Sequence, residues 1–270
     1  MAIIGLGLIV GLILGLTGAG GAIIAVPLLI FALNWDVARA APVALVAVAA
    51  SAAFGTVLGL RQRTVRYRAA ALMAATGAIV TPFGLYLAHH LPVAPLSILF
   101  AIVLIYVSVK MYRQTKPKAV VGNSPPIAHI APCQLSQSTG RLVWTAPCAR
   151  AMAASGLATG FLSGVLGVGG GFVIVPALRH TTDLPMNAIV STSLMVVALV
   201  STFAAAASAL TGHMDFSVAW KFAVGALTGM LLGRLFAPRI AGPRLQQGFA
   251  GLSALVAIGL IVKTVSSLHG

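Results

Sequence analysis

The chain contains no glutamate and only three aspartates, Asp36, Asp183 and Asp215, and charged residues fill 7% of its 270 positions. A soluble globular domain carries about 25% charged residues. With 59% hydrophobic residues and a mean hydropathy of +1.04, a water-soluble fold would leave large apolar areas wet, which monomeric proteins avoid. A disordered chain is excluded as well, because disorder goes with low hydrophobicity and dense charge. Catalytic signatures are also lacking: there is no HExxH, no GxSxG, no CxxC and no GK[ST], and three scattered carboxylates make no intramembrane aspartyl pair. The two cysteines, Cys133 and Cys148, have no His/Cys companions. They therefore make no four-ligand zinc site, and a disulfide between them stays open. No cofactor or metal is expected.

What is present is long apolar sequence. A bilayer core takes about 20 apolar residues per spanning helix. Stretches 40–60, 69–88, 91–109, 184–212, 216–238 and 245–262 meet that length, with Lys221 and Arg234 near the ends of the fifth. Two further segments, 2–33 and 151–178, are apolar but interrupted midway by glycines and a proline. The N-terminal one has no basic leader and reads as a retained membrane segment. The only extended polar stretch, 110–150, is rich in Pro, Ser and Gln and reads as a linker. It sets the domain boundaries: a first membrane repeat over 1–112, a cytoplasmic linker over 113–149, and a second repeat over 150–270. The fold class is an all-α polytopic membrane protein of two homologous halves, each with a Gly-broken first segment and three full spans.

The halves repeat at a fixed offset of 149. Gly11, Gly15, Gly18, Gly20, Gly21, Val26, Pro27 and Leu29 map onto Gly160, Gly164, Gly167, Gly169, Gly170, Val175, Pro176 and Leu178, eight identities in nineteen positions. The same register pairs Leu45 with Leu194, Phe54 with Phe203, Gly84 with Gly233 and Phe100 with Phe249.

Seventeen Lys and Arg against three acids give a net charge of +14. The basic residues sit in short runs between apolar segments, as cytoplasmic loops do, so nucleic acid is not the expected partner. If each broken segment returns to its own side, the halves are inverted and 14 of the 17 basic residues face one side; if it crosses, 12 do. Inversion is the reading adopted, in keeping with transporter repeats.

The broken segments read GLTGAGGAIIAVPLL (15–29) and GVLGVGGGFVIVPAL (164–178). Glycine permits positive φ and close backbone approach, and non-helical backbone at membrane depth must be buried in protein or line a wet cavity. A half-helix beginning after each break would aim free N–H groups and a positive dipole end at that cavity, which favours an anion. Gly18, Gly20 and Gly21 with Gly167, Gly169, Gly170 and Gly171 are the candidate binding residues, and Pro27 and Pro176 are structural parts of the motif. The competing reading is that the glycines only let helices pack. For Gly11, Gly15, Gly160 and Gly164, at spacing of four, packing is the preferred reading.

These paired Gly-x-Gly-Gly and Gly-x-Gly-Gly-Gly motifs, each followed by a proline, resemble the sulfite exporter TauE/SafE family. The resemblance covers nearly the whole chain outside the linker. It implies a secondary transporter of the bacterial cytoplasmic membrane that moves sulfur-containing or organic anions of the sulfite and sulfonate class. STSL (Ser191–Leu194) is similar to a Thr-Ser pair of the family, which adds Thr192 and Ser193 as substrate contacts; the first half has PVAL (Pro42–Leu45) there instead. Arg39 is a candidate anion-attracting charge, set against a local pair with Asp36 at i,i+3. Asp36 and Asp183 are the candidate carboxylates for proton or sodium coupling. His89–His90 reads as an interfacial cap set against a pH sensor, and His213 as a loop residue. The partners expected are a small anion, the lipid bilayer and, as an option, further copies of the chain. A passive anion channel and a membrane scaffold or maturation factor are the alternatives.

Overall fold

The computed structural model describes residues 2–18, 21–115, 133, 144–210, 215–236, 248, 251 and 253–262. They form α1 (Ala2–Thr17), α2 (Gly21–Leu33), α3 (Val37–Arg61), α4 (Tyr67–His90), α5 (Val93–Thr115), α6 (Ala146–Leu166), α7 (Gly171–Thr181), α8 (Met186–Leu210) and α9 (Phe216–Phe236). A tenth, α10 (Ser253–Val262), follows. No strand occurs among the described residues; one isolated bridge joins Cys133 to Thr182. Four helices, Val37–Arg61, Tyr67–Ala88, Met186–Ala209 and Phe216–Phe236, are long and apolar enough to cross a bilayer. Each matches a span expected from the sequence to within a few residues, and both glycine-interrupted segments divide into two helices. The polar linker is shorter than its composition suggests, because α5 continues past Lys110 to Thr115 and α6 starts at Ala146.

The centre of the bundle is the pair α3 and α8. Their apolar windows are 61% and 72% buried, against 33% for α4 and 44% for α9. They run antiparallel: Leu45 clusters with Ala204 and Ala205, Gly55 faces Leu194, and Gly59 faces Ser191. The outer helices carry exposed Ile79, Phe83 and Tyr86 on α4 and Trp220, Leu231 and Leu235 on α9, the apolar surface that lipid tails would cover.

Glycine makes the contacts of α1 with α9 and of α6 with α4. On α1, Gly7, Gly11 and Gly15 lie against the backbone of Phe222, Ala226 and Met230 of α9, and Gly225, Gly229 and Gly233 of α9 lie against Ile4, Leu8 and Leu12. Partner numbers rise together, so α1 and α9 are parallel. In the same way Gly156, Gly160 and Gly164 of α6 lie on Met73, Gly77 and Thr81 of α4. The Thr81 hydroxyl donates to both Gly77 O (2.8 Å) and Gly160 O (3.3 Å). Small residues at spacing of four let backbones meet where no hydrophobic force drives helices together in lipid. This is the packing role expected of Gly11, Gly15, Gly160 and Gly164.

Each broken pair turns back. Gly21 opens α2 against Val10 and Leu14 of α1, and α2 then leads to the start of α3, which lies beside the start of α9 through the pair Arg39–Asp215. Thus α1 rises along α9 and α2 descends toward the end from which α1 came. One end of the bundle gathers Arg61, Arg63, Arg66 and Arg68 of the α3–α4 turn with Arg150, Arg179 and Arg234. The other has Arg39 and Lys221 with Asp36 and Asp215.

Cys133 and Cys148 form a disulfide with Cα atoms 4.9 Å apart, which settles the pairing left open by the sequence. It ties residue 133 to the first turn of α6, while the Cys133 N–H donates to Thr181 O at the end of α7 (3.0 Å).

A Cβ at position 160 would strike the backbone of Gly77, whereas one at Gly5 meets nothing within 4 Å. Gly160→Leu is therefore expected to cost about 1 to 3 kcal/mol from overpacking, lowering the melting temperature of the purified protein. Gly5→Leu is expected to leave it unchanged.

Candidate functional site

The second glycine break is built at the centre of the bundle. α6 ends on Gly167, whose φ of +67° places it in the left-handed region and whose N–H closes the last turn on Ser163 O (2.9 Å). Gly169 and Gly170 follow at φ +68° and +65°, and Gly170 is the N-cap of α7. A residue with a Cβ loses about 1 to 2 kcal/mol in that conformation, so glycine is required here by backbone geometry and by space. The Cβ it lacks would strike the Ser201 hydroxyl at position 169, and Thr159 at position 170. Gly169 also lies against Val48 of α3 and Val197 of α8, so the break touches both central helices halfway along them.

Of three unpaired hydroxyls on the helices that flank this point, Ser201 is the one that meets it. Ser201 on α8, Ser51 on α3 (one turn from Val48) and Ser163 in the last turn of α6 are each 0% exposed, and none of the three Oγ atoms has a hydrogen-bond partner. A buried polar atom left unpaired costs about 1 to 3 kcal/mol. Together with the free N–H groups that open α7, they are groups able to donate, and no carboxylate is paired with them. A small solute rich in acceptor oxygens satisfies such a set.

The first break follows the same plan at a different height. Gly18, with φ +77°, closes α1 by donating its N–H to Leu14 O (2.8 Å). Its missing Cβ would strike Val190, as that of Gly167 would strike Ala41. Positions 41 and 190 differ by the same 149 that relates the two motifs. Gly21 is buried at the first turn of α2. Gly20 lies outside the described residues, as do His89's side chain and all of His213.

The other residues singled out by the sequence are placed as follows. Gly171 begins α7 and is buried; Pro27 and Pro176 lie inside α2 and α7. Ser193 Oγ donates to Val190 O (2.8 Å) and reaches Gly18 O (3.5 Å), so it sits beside the first break. Thr192 Oγ1 accepts from the backbone N–H of Arg66 (3.0 Å), and Ser191 Oγ accepts from Thr64 Oγ1 (3.0 Å). These two bonds bind the α3–α4 turn to the start of α8. Arg39 lies at the Asp215 end of the bundle, two residues before the Ala41 that Gly167 faces, and its side chain turns away to Asp215. It does not pair with Asp36 as the i,i+3 spacing suggested; its guanidinium bonds Asp215 (3.0 Å) and lies over the Trp35 ring, 4.6 Å from the centroid. The reason is reach: Asp36 is the N-cap of α3, so its backbone carbonyl takes the Arg39 N–H while the Arg39 side chain crosses to α9. Asp183 is exposed between α7 and α8. His90 caps the end of α4 through its ring nitrogen on Tyr86 O (2.8 Å). No cluster of metal-ligating side chains occurs among the described residues.

Sequence reasoning passed over Ser51, Ser163 and Ser201, because a serine in an Ala/Val-rich span carries no local signal of what it faces. It placed Arg234 at the end of a span, among the basic residues that set topology, and gave it no partner. That side chain is half-buried and donates to Gly55 O (3.2 Å) in the middle of α3's C-terminal half.

The fold and this interior define a polytopic membrane protein organised around broken helices that meet in its core. The family model described as sulfite exporter TauE/SafE matches residues 3–260. A probable membrane transporter protein of Xylella fastidiosa (strain 9a5c) is 30% identical over 270 residues, covering 98% of this chain and 96% of that protein. The probable membrane transporter protein YjnA of Bacillus subtilis (strain 168) is 24% identical over 97% of this chain and 99% of its own length. No solved structure matches the chain. The chain belongs to the sulfite exporter TauE/SafE family; it is a multi-pass bacterial membrane transporter and not an enzyme.

Removing the Ser201 hydroxyl removes an unpaired buried group, so Ser201→Ala is expected to raise the stability of the ligand-free protein by about 1 kcal/mol. Chemical denaturation in detergent measures this. A loss of stability instead would show that the hydroxyl is already satisfied and not held ready for a ligand.

Proposed function

We propose that this protein is a secondary transporter of small sulfur-containing or organic anions, of the sulfite and sulfonate class, working by alternating access between two inverted halves. The observation that carries the reading is the second break: Gly169 and Gly170, three unpartnered buried serines and the opening turn of α7 present donors in the bundle centre with no acceptor of their own. A sulfite or sulfonate head offers three oxygens to such a set, and the dipole of α7 adds to the attraction.

Inversion is supported by the antiparallel run of α3 against α8 and by the exchange of partners between halves, α1 lying on α9 as α6 lies on α4. Under the 149 offset α1 becomes α6 and α9 becomes α4, so the two contacts are one contact used twice. We read the arginine-rich end as the cytoplasmic one from charge bias, and the linker with it. Asp183 at that end and Asp36 at the other are carboxylates available for proton or sodium coupling.

In proteoliposomes, uptake of sulfite, thiosulfate, taurine or sulfoacetate is to be measured with and without a pH gradient. We expect saturable uptake of at least one, and Gly169→Ala, which drives a methyl group into Ser201, is expected to reduce it tenfold or more, about 1.4 kcal/mol, in protein that remains monodisperse. Absence of uptake of all four by folded protein would overturn the reading.

A further inference from the structure

Among the positions paired by the 149 offset, one end of the bundle has Leu85 where the other has a charged residue, Arg234. At the Asp215 end a shallow cleft enters between α3, α4 and α6, lined by Ala41, Pro42 and Leu45, by Leu85, and by Gly164 and Gly167. Adding or subtracting 149 carries these residues to Val190, Ser191, Leu194, Arg234, Gly15 and Gly18 at the arginine-rich end. There Leu194 and Met230 face Gly55, Val190 faces Gly18 and Ser191 faces Gly59, much as Leu45 meets Ala204 and Ala41 faces Gly167 at the other end. Where the cleft has Leu85, this end has Arg234, whose Nη2 reaches across from α9 to the Gly55 carbonyl of α3 (3.2 Å).

We propose that Arg234 is the anion-receiving residue of the cytoplasmic mouth, and that its bond to Gly55 O is the bar that closes this mouth when no anion is present. The inference rests on the transporter reading given above. Arg234 is half-buried, and a cation drawn partly out of water among apolar helices is costly unless paired. Arg234 has no carboxylate within 4.0 Å among the described residues, whose only such ion pair is Arg39–Asp215 at the far end. A single backbone carbonyl satisfies one N–H of a fork that has five. A small oxyanion satisfies the fork with two parallel charge-assisted bonds, so it displaces the carbonyl and separates α9 from α3. The ligand class is a compact sulfur or carboxylic oxyanion. Leu85 at the equivalent position of the open cleft can form no such bar, so the two mouths respond differently to the same anion.

The test is a thermal-shift titration of purified full-length protein with sulfite, thiosulfate and sulfoacetate, each against chloride at equal ionic strength, beside proteoliposome uptake. Wild type is expected to be stabilised by at least one of them. Arg234→Gln is expected to shift the midpoint concentration at least tenfold upward, and Arg234→Lys by a smaller factor, because a point charge replaces the fork. A Gln variant whose midpoint stays within twofold of wild type overturns the proposal, as does a wild type that none of the three anions stabilises. Should Arg234→Gln not fold, an unshifted midpoint in Arg234→Lys overturns the role of the fork. Anion stabilisation that depends on Arg234 without any uptake would leave this site standing and refute the transport reading instead.

Discussion

The structure depends on a single constraint: in hydrocarbon every backbone N–H and C=O must be satisfied or enclosed by protein. Helices satisfy it by themselves, but α1–α2 and α6–α7 leave helical geometry in mid-membrane. They can do so only because neighbouring backbones come close enough to seal the gap. Glycine supplies that closeness twice over. At spacing of four it lays α1 on α9 and α6 on α4, backbone against backbone. At the breaks it allows the left-handed turns of Gly18, Gly167, Gly169 and Gly170. The first use holds the second in place, since α1 and α6 are the helices whose ends the breaks interrupt.

From that arrangement the chemistry follows. A chain with three carboxylates and no glutamate can neutralise few buried cations or donors internally. One aspartate is spent on Arg39 at the bundle end. Among the described residues, the interior is left with serine hydroxyls that lack partners and with a half-buried arginine bonded to a backbone carbonyl. Shortage of acid is therefore more than a sign of membrane insertion: it leaves the core an environment of donors. In the reading proposed here, the missing negative charge is the cargo's.

Four of the six expected spans, 40–60, 69–88, 184–212 and 216–238, were legible in the sequence because a membrane helix is a long apolar run and little else, whereas 91–109 and 245–262 give only shorter apolar helices among the described residues. Both breaks were legible because GxGG and GxGGG cost a helix too much at adjacent positions to be mere packing. Spacing of four identified Gly11, Gly15, Gly160 and Gly164 as packing residues, though it could not say that their partners are α9 and α4. What stayed hidden were relations between distant segments. Arg39 pairs with Asp215 and not with nearby Asp36, because a helix start fixes its own backbone while a long side chain is free to cross to another helix. Ser201 and Ser51 look like any serine in an alanine-rich span until the antiparallel pairing of α3 and α8 brings both to the level of Gly169. The pairing of Cys133 with Cys148 is likewise a matter of where residue 133 docks, beside Thr181 and the start of α6.

The central claim is that the two halves carry an anion by alternating exposure of one interior site, so that the site never opens to both sides at once. Counterflow tests it most directly: proteoliposomes loaded with excess unlabelled sulfite are diluted into tracer radiolabelled sulfite. The account expects tracer to accumulate transiently above its equilibrium level and then decline. Tracer that rises only to equilibrium, or does not enter at all, would contradict it.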